Sequence, residues 1–352
     1  MTTKNLVVLG VAAVALGGAA YMCGSGRKIK SASVNGKPVM AAFNVADVSK
    51  VEIGGAKKLT LTASDKGWTV ESLHGYPADV TKIRENLMKL ADLKVGQVAP
   101  GIKVATPIPV SLKDAKGKEL SAVTLGDQHR SKPKGGAPMY GGGYPDGRYV
   151  KFGDKVVLVK ETLDAFDGDF KKWVDSRICA VPSADVKAVT YAQGGEKVEL
   201  TRKDSTWTLA GLGPKEELDS SKTYSLDSAL SYLDMTGVAD PKLTEQDLGF
   251  KTGAVYTVQL KDGKSYTATV GNLKDGDRYF KVAASFKAVG TNATENATLE
   301  KAVKDFNDKT AKWVYTISSY SADSMSKTRK DLVKAKEEPK KDDAKKDEKK
   351  AK

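Results

Sequence analysis

The four tryptophans of the chain fall into two matched pairs. Trp68 stands in Asp65-Lys66-Gly67-Trp68-Thr69-Val70 and Trp207 in Asp204-Ser205-Thr206-Trp207-Thr208-Leu209, 139 residues apart. Trp173 stands in Lys172-Trp173-Val174 and Trp313 in Lys312-Trp313-Val314, 140 residues apart. Two independent pairs at nearly one offset imply a duplicated unit. Other segments echo in the same way. Ala46-Asp47-Val48 returns as Ala184-Asp185-Val186, Leu112-Lys113-Asp114 as Leu260-Lys261-Asp262, and Tyr149-Val150-Lys151-Phe152 as Tyr279-Phe280-Lys281-Val282. The offset falls to 130 at the last of these, so the first copy carries an insertion, roughly residues 131–147, that the second lacks. Ala322-Asp323 restarts the signature as a stub. Solenoid repeats run about 20–50 residues, so a period this long implies two domains.

Each copy opens with short alternating runs separated by turn residues. Val48 to Ile53, Leu59 to Leu61 and Trp68 to Val70 read as strands, with Gly54-Gly55 and Asp65-Lys66-Gly67 as turns. Alternation implies a sheet with one wet face and antiparallel hairpins. A helix then starts at Pro77-Ala78-Asp79, with Val80, Ile83, Leu87 and Leu90 on one stripe. The second copy predicts a matching helix with Leu226, Ala229, Leu230 and Leu233, capped by Ser225. More strands follow, and a short helix closes each unit, with Leu163, Phe166 and Phe170 in one copy and Leu299, Val303 and Phe306 in the other. The expected fold is therefore α+β: two tandem units, 41–180 and 181–320, each a mostly antiparallel sheet with covering helices. From Lys327 the chain is Lys/Glu/Asp/Ala-rich, and 327–352 is predicted to be a disordered tail.

The N-terminus reads as an address. Leu6 to Met22 is a 17-residue run without charge, after Lys4 and before Arg27, Lys28 and Lys30. Residues 1–26 are expected to form a membrane anchor or a signal segment. Three readings stand: an uncleaved anchor, a secretory signal cut near Gly18-Ala19-Ala20, and lipidation at Cys23. The first two place the body outside the cytoplasm, and the first makes the chain a single-pass membrane protein. Cys23 and Cys179 imply no disulfide framework.

Chemistry is far less legible. The net charge is +13, but the last 26 residues supply +5 of it, with twelve Lys/Arg against seven Asp/Glu. The rest is distributed as lysines on solvated faces. No nucleic-acid motif accompanies it, so no nucleic-acid partner is expected. Two histidines and two cysteines make a zinc site untenable. No hydrolase elbow or metalloprotease motif is present, and neither a cofactor nor an enzymatic activity is expected. Asp164, Asp167 and Asp169 lack the calcium-loop spacing and read as turn and cap residues. His74, His129 and Arg130 read as surface residues, and the recurring tryptophans as core anchors rather than sugar platforms. Asn292 and Asn296 fit the glycosylation pattern, relevant only in a eukaryotic host. The most unusual stretch is the Gly-rich insertion, Gly135 to Gly147. It lacks the Gly-Lys-Ser/Thr of a phosphate loop. Its candidate role is a partner-binding loop carrying Tyr140, Tyr144 and Arg148.

Several of these residues carry a family resemblance. Asp47-Val48 and Val51, Leu59-Thr60-Leu61, Gly67-Trp68-Thr69 and Pro77-Ala78-Asp79 resemble a bacterial domain-of-unknown-function family, the one numbered 4340. Trp173-Val174-Asp175-Ser176-Arg177, Asp247-Leu248-Gly249-Phe250 and Tyr256 to Leu260 resemble its later segments, so the likeness spans about 43–320. The Lys-rich tail and the insertion near Gly135 depart from its pattern. The resemblance implies an N-terminal membrane segment, an extracytoplasmic body and association with gliding-type ABC transporter components. It brings no catalytic residues. The expected function is a membrane-tethered, non-enzymatic accessory or scaffold protein with a transporter partner. The alternatives are a binding module for anionic cell-envelope polymer or glycan and, further off, a carboxylate hydrolase.

Overall fold

The computed structural model describes residues 33–131, 143–223 and 225–336. The expected anchor with Cys23, the loop residue Tyr140 and the end of the Lys-rich tail lie outside these residues. Among the described residues no helix is long and apolar enough to cross a membrane.

The architecture is α+β and dominated by antiparallel sheet. The first sheet uses β1 (Lys50–Ile53), β2 (Leu59–Ser64), β3 (Gly67–Val70), β4 (Tyr76–Pro77), β5 (Gln97–Val98), β6 (Ile108–Lys113), β7 (Glu119–Ser131), β8 (Tyr144–Phe152) and β9 (Lys155–Val159). Their order is β4-β3-β2-β1-β6-β7-β8-β9-β5. Alternation decides which side chains are inside: Val51, Ile53, Leu59, Leu61, Val110, Leu112, Val157 and Val159 are all buried. Between β4 and β5 lies α1 (Val80–Ala91), where Ile83, Leu87 and Leu90 form the buried stripe expected from a 3.6-residue period. Val80, expected in that stripe, is 57% exposed.

β10 (Arg177–Cys179) begins the second half, followed by β11 (Val186–Gln193), β12 (Glu196–Lys203), β13 (Thr206–Leu209), β14 (Glu216–Leu218), β15 (Leu233–Asp234) and β16 (Gly237–Val238). After α2 (Glu245–Leu248) come β17 (Ala254–Leu260), β18 (Lys264–Lys274), β19 (Asp277–Phe286), α3 (Ala293–Thr310) and β20 (Tyr315–Ser318). The second sheet runs β13-β12-β11-β17-β18-β19-β20-β16. Strand for strand, that is the order β3-β2-β1-β6-β7-β8-β9-β5 of the first sheet. Hairpin turns follow from their residues. Asp204-Ser205 joins β12 to β13 with both residues at positive φ, and Asp275-Gly276 joins β18 to β19 likewise. Paired positive φ values are the two-residue turn whose twist matches the strands it joins.

By internal contacts the chain divides into two compact units, and the division does not fall at 180/181. One unit takes the chain up to Val48, Ile53–Gly55 and Glu85–Asp167. The other takes Ser49–Glu52, Ala56–Arg84 and everything from Gly168. In this second unit the segment Trp173 to Arg177 is closely bound. Trp173 is fully buried. Lys82 Nζ donates to the Val174 and Lys171 carbonyls at 2.7 and 3.2 Å, and Asp79 N–H donates to the Trp173 carbonyl at 2.7 Å. Lys309 pairs with Asp175 at 2.7 Å, and Tyr76 packs edge-on against Trp313 at 5.0 Å.

Three expectations are corrected. Residues 225–232 form successive turns rather than an α-helix. Serines compete there for the backbone: Ser228 Oγ donates to the Ser225 carbonyl, so Ser225 does not act as a helix cap. Leu226, Leu230 and Leu233 are buried nonetheless. The helix expected to carry Leu163, Phe166 and Phe170 is two 3₁₀ turns, Asp164–Asp167 and Phe170–Lys172, divided by Gly168 at φ 81°. The helix expected to carry Leu299, Val303 and Phe306 does form, as α3, with Phe306 edge-on to Tyr266 at 5.2 Å. Of the tryptophans, only Trp173 is a fully buried anchor. Trp68 and Trp207 are half-exposed on hairpins, and Arg202 lies 5.7 Å over the Trp207 ring.

The predicted tail also begins too early. Residues 328–336 form a strap: α4 (Ser319–Asp323) is followed by α5 (Arg329–Leu332) and β21 (Val333–Ala335), and β21 pairs with β14. Arg329 forms an ion pair with Glu216 and donates to the Gly211 carbonyl at 2.8 Å. Leu332 is fully buried, the one apolar anchor that composition averaging conceals. Leu332→Ala is expected to lower unfolding stability by about 2–5 kcal/mol, the usual cost of a truncated core leucine. Urea denaturation checks it, and a loss under about 0.5 kcal/mol, the level of a surface substitution, would mean the strap does not pack.

Candidate functional site

The Gly-rich insertion emerges from the β7–β8 hairpin, and a bulge shapes the base of that hairpin. Leu125 faces Val150 and Gln128 faces Arg148, so Gly126 and Asp127 together oppose Tyr149. A bulge of this kind breaks the ladder and re-aims side chains. Glycine is needed there because a Cβ on Gly126 would lie 2.9 Å from Val104 Cγ2 and 3.2 Å from the Tyr149 carbonyl oxygen. Asp127 accepts from Thr106 Oγ1 at 2.7 Å.

Arg148 occupies the centre of this base. It is 3% exposed, and a buried guanidinium must have its donors engaged. Nε donates to the Gly126 carbonyl at 2.8 Å, and Nη1 donates to the carbonyls of Thr162 and Leu163 at 3.1 and 3.2 Å. Nη2 pairs with Asp167. Leu163 has φ 54°, a backbone state that non-glycine residues rarely adopt, and Arg148 binds its carbonyl there. The expectation that Arg148 belongs to a partner-binding surface is thereby corrected. It faces inward and supports the hairpin.

Beyond the bulge the hairpin continues. His129 pairs with Gly147 and Arg130 with Pro145, a second irregularity that leaves Asp146 out of register. The Asp146 carboxylate lies 2.5 Å from His129 Nδ1, and the His129 ring stands edge-on to Tyr149 at 5.8 Å. Arg130 Nη1 donates to the Gly143 carbonyl at 3.2 Å. Tyr144, the last paired residue, is 77% exposed. Of the three aspartates, only Asp169 uses its side chain in the capping role expected of them. Asp164 accepts from Gln128 at 2.6 Å, Asp167 holds Arg148, and Asp169 caps the turn at Lys171. Among the described residues no cluster of His, Cys, Asp or Glu is arranged to hold a metal ion. His74 is exposed at φ 56°, ending a turn.

The β18–β19 hairpin is built to the same plan. Val270 faces Phe280 and Leu273 faces Arg278, so Gly271 and Asn272 oppose Tyr279. A Cβ on Gly271 would lie 2.1 Å from the Leu248 carbonyl oxygen. Asn272 Nδ2 donates to the Gln246 and Asp247 carbonyls at 3.3 and 3.0 Å, and Arg278 Nη1 donates to the Gly271 carbonyl at 3.1 Å. This hairpin then closes at once, with Lys274 opposite Asp277. Sequence reasoning missed Gly126, Gly271 and Arg278. The available signal was the extension of the echo by one residue, to Arg148-Tyr149 and Arg278-Tyr279, together with Leu125-Gly126 and Val270-Gly271.

One thiol and three phenols of the interior are held neutral. Burial pushes the Cys179 thiol up to about 12 and raises the phenols of Tyr191, Tyr256 and Tyr315. Cys179 is therefore expected to react with iodoacetamide at pH 8 roughly a thousandfold more slowly than a free thiol. Peptide mass spectrometry with and without urea measures this, and equal labelling of Cys179 in both would refute it. Arg148→Met is expected to destabilise the protein by about 3 kcal/mol, near 1 kcal/mol for each carbonyl left without its donor. Arg148→Lys should recover only part of the loss, since an ammonium cannot reproduce the fork. Urea denaturation of the three proteins tests the ranking.

The family described as Domain of unknown function (DUF4340) matches residues 68–252, just over half of the chain and less than the 43–320 expected. The match contains Arg148 and the insertion and ends before Arg278. No curated protein and no solved structure matches the chain. By that matched span the chain belongs to the domain-of-unknown-function family DUF4340.

Proposed function

We propose that this protein is a non-enzymatic, membrane-tethered accessory or scaffold protein outside the cytoplasm, which docks a membrane-protein partner of an ABC-type transport system through its β7–β8 hairpin. The observation that carries this reading is the contrast between two hairpins with the same bulged base. β18–β19 turns at Asp275-Gly276, whereas β7–β8 continues past Arg148 to Tyr144 and the Gly-rich insertion. A projecting ribbon on a buried arginine base combines a rigid root with an exposed aromatic. That suits recognition, because a preorganised element loses less entropy on binding. The uncharged run Leu6 to Met22 supplies the tether in this reading. The common strand order and the repeated bulge support descent of both halves from one duplicated unit. The transporter association rests on the family resemblance.

A photo-crosslinking residue placed at Tyr144 in native membranes tests the proposal. The expected product joins the protein to an ABC permease or ATPase, and Tyr144→Ala should weaken that association about tenfold or more, as for an aromatic anchor. Recovery of no transporter component, or an undiminished association after removal of 132–142 together with Tyr144→Ala, would overturn it.

A further inference from the structure

Arg278 occupies in the second sheet the position of Arg148 in the first, but its guanidinium is not enclosed. Both arginines follow the same bulge and donate to the carbonyl of the bulge glycine. Arg148 also reaches two carbonyls and the Asp167 carboxylate, all from the turn that follows β9. Arg278 makes only the Gly271 bond among the described residues. The turn that follows β20 supplies no acid here and instead brings Ser326 to the same place. What remains is a cavity of about 70 Å³ beside Arg278, edged by Gln193, Thr252, Asn272 and Ser326. Among the described residues Arg278 is the only charged one lining it. A guanidinium with free, coplanar N–H donors is the group that recognises a carboxylate as a fork.

We propose that the Arg278 cavity is a binding site for a carboxylate. Asp167 on Arg148 shows the occupant chemistry: in the first sheet the carboxylate is internal, and in the second it comes from outside. Arg278 binds the carboxylate by its free N–H groups. Thr252 and Gln193 line the cavity beside it. The cavity accommodates a carboxylate group and little more, so it reads the end of a ligand rather than its body. The site is independent of the docking hairpin, and the family match includes Gln193 and Thr252 of its lining but ends before Arg278.

The test uses the full chain in detergent micelles with ¹⁵N-labelled arginine. The Arg278 Nε–H signal is assigned by its loss in Arg278→Lys. Sodium acetate is titrated against sodium chloride at equal ionic strength. The expected result is a saturable shift of that one signal with a millimolar midpoint, a ceiling set by the few atoms of acetate. The Arg148 signal stays still. Ser326→Asp, which places a carboxylate inside the cavity, should retain the fold and weaken the acetate response at least about tenfold. Succinate and a short peptide with a free C-terminus, each compared with the amidated peptide, identify the source: a free acid or a polypeptide end. Either result upholds the site. No saturable shift with any carboxylate, an equal shift with phosphate, or an acetate response unchanged in Ser326→Asp overturns it.

Discussion

A strand with one residue too many leaves a carbonyl that its neighbour in the sheet cannot use. The two long hairpins of this protein both have that defect, and both resolve it with an arginine on the opposing strand, next to the tyrosine that faces the bulge. The dependence is direct. Glycine must occupy the bulge because overlying backbone or side chain approaches its Cα. The next residue, Asp127 or Asn272, then ties that overlying segment down through its own side chain. The arginine takes the glycine carbonyl. Remove any one of the three and the other two lose their reason to be there, which is how a local irregularity becomes a reproducible piece of architecture.

The two sites differ in completeness. In the first sheet the guanidinium is closed over by its own turn, through Thr162, Leu163 and Asp167, and the hairpin is free to lengthen on that stiff base. In the second the hairpin turns two residues past its bulge and the guanidinium is left with donors to spare. Rigidity and vacancy are thus traded between halves of similar plan, and each gives a different opportunity for recognition. The buried ion pair itself is a poor source of net stability, since desolvating it opposes its own attraction. Its value lies in fixing where the hairpin points.

Much of the fold was legible in the residues. Period-two burial located β1, β2, β6 and β9, and Ile83, Leu87 and Leu90 gave α1 its stripe. The failures have physical causes. Leu226, Leu230 and Leu233 have helical spacing, but Ser228 is engaged with the Ser225 carbonyl and Asp227 with Arg202, and the segment winds as turns. The strap at 328–336 was hidden because a composition argument averages over Leu332, and one fully buried leucine with one strand pairing is enough to hold a nine-residue segment with six polar residues. Arg148 was read as surface because arginine usually is. Only the three-dimensional proximity of Gly126, Thr162, Leu163 and Asp167 shows that it is not.

The strap has one more consequence, which concerns time. Glu216 and Arg329 are 113 residues apart in the chain. At about 5–20 residues per second of synthesis, Arg329 is made roughly 6–23 s after its partner. Through that interval β14 has no mate, because β21 is its only one among the described strands. An unmated strand edge is an invitation to any extended polypeptide nearby. The nascent second half therefore passes through a period in which chaperone or neighbouring chain can occupy the seat that Val333–Ala335 later fills.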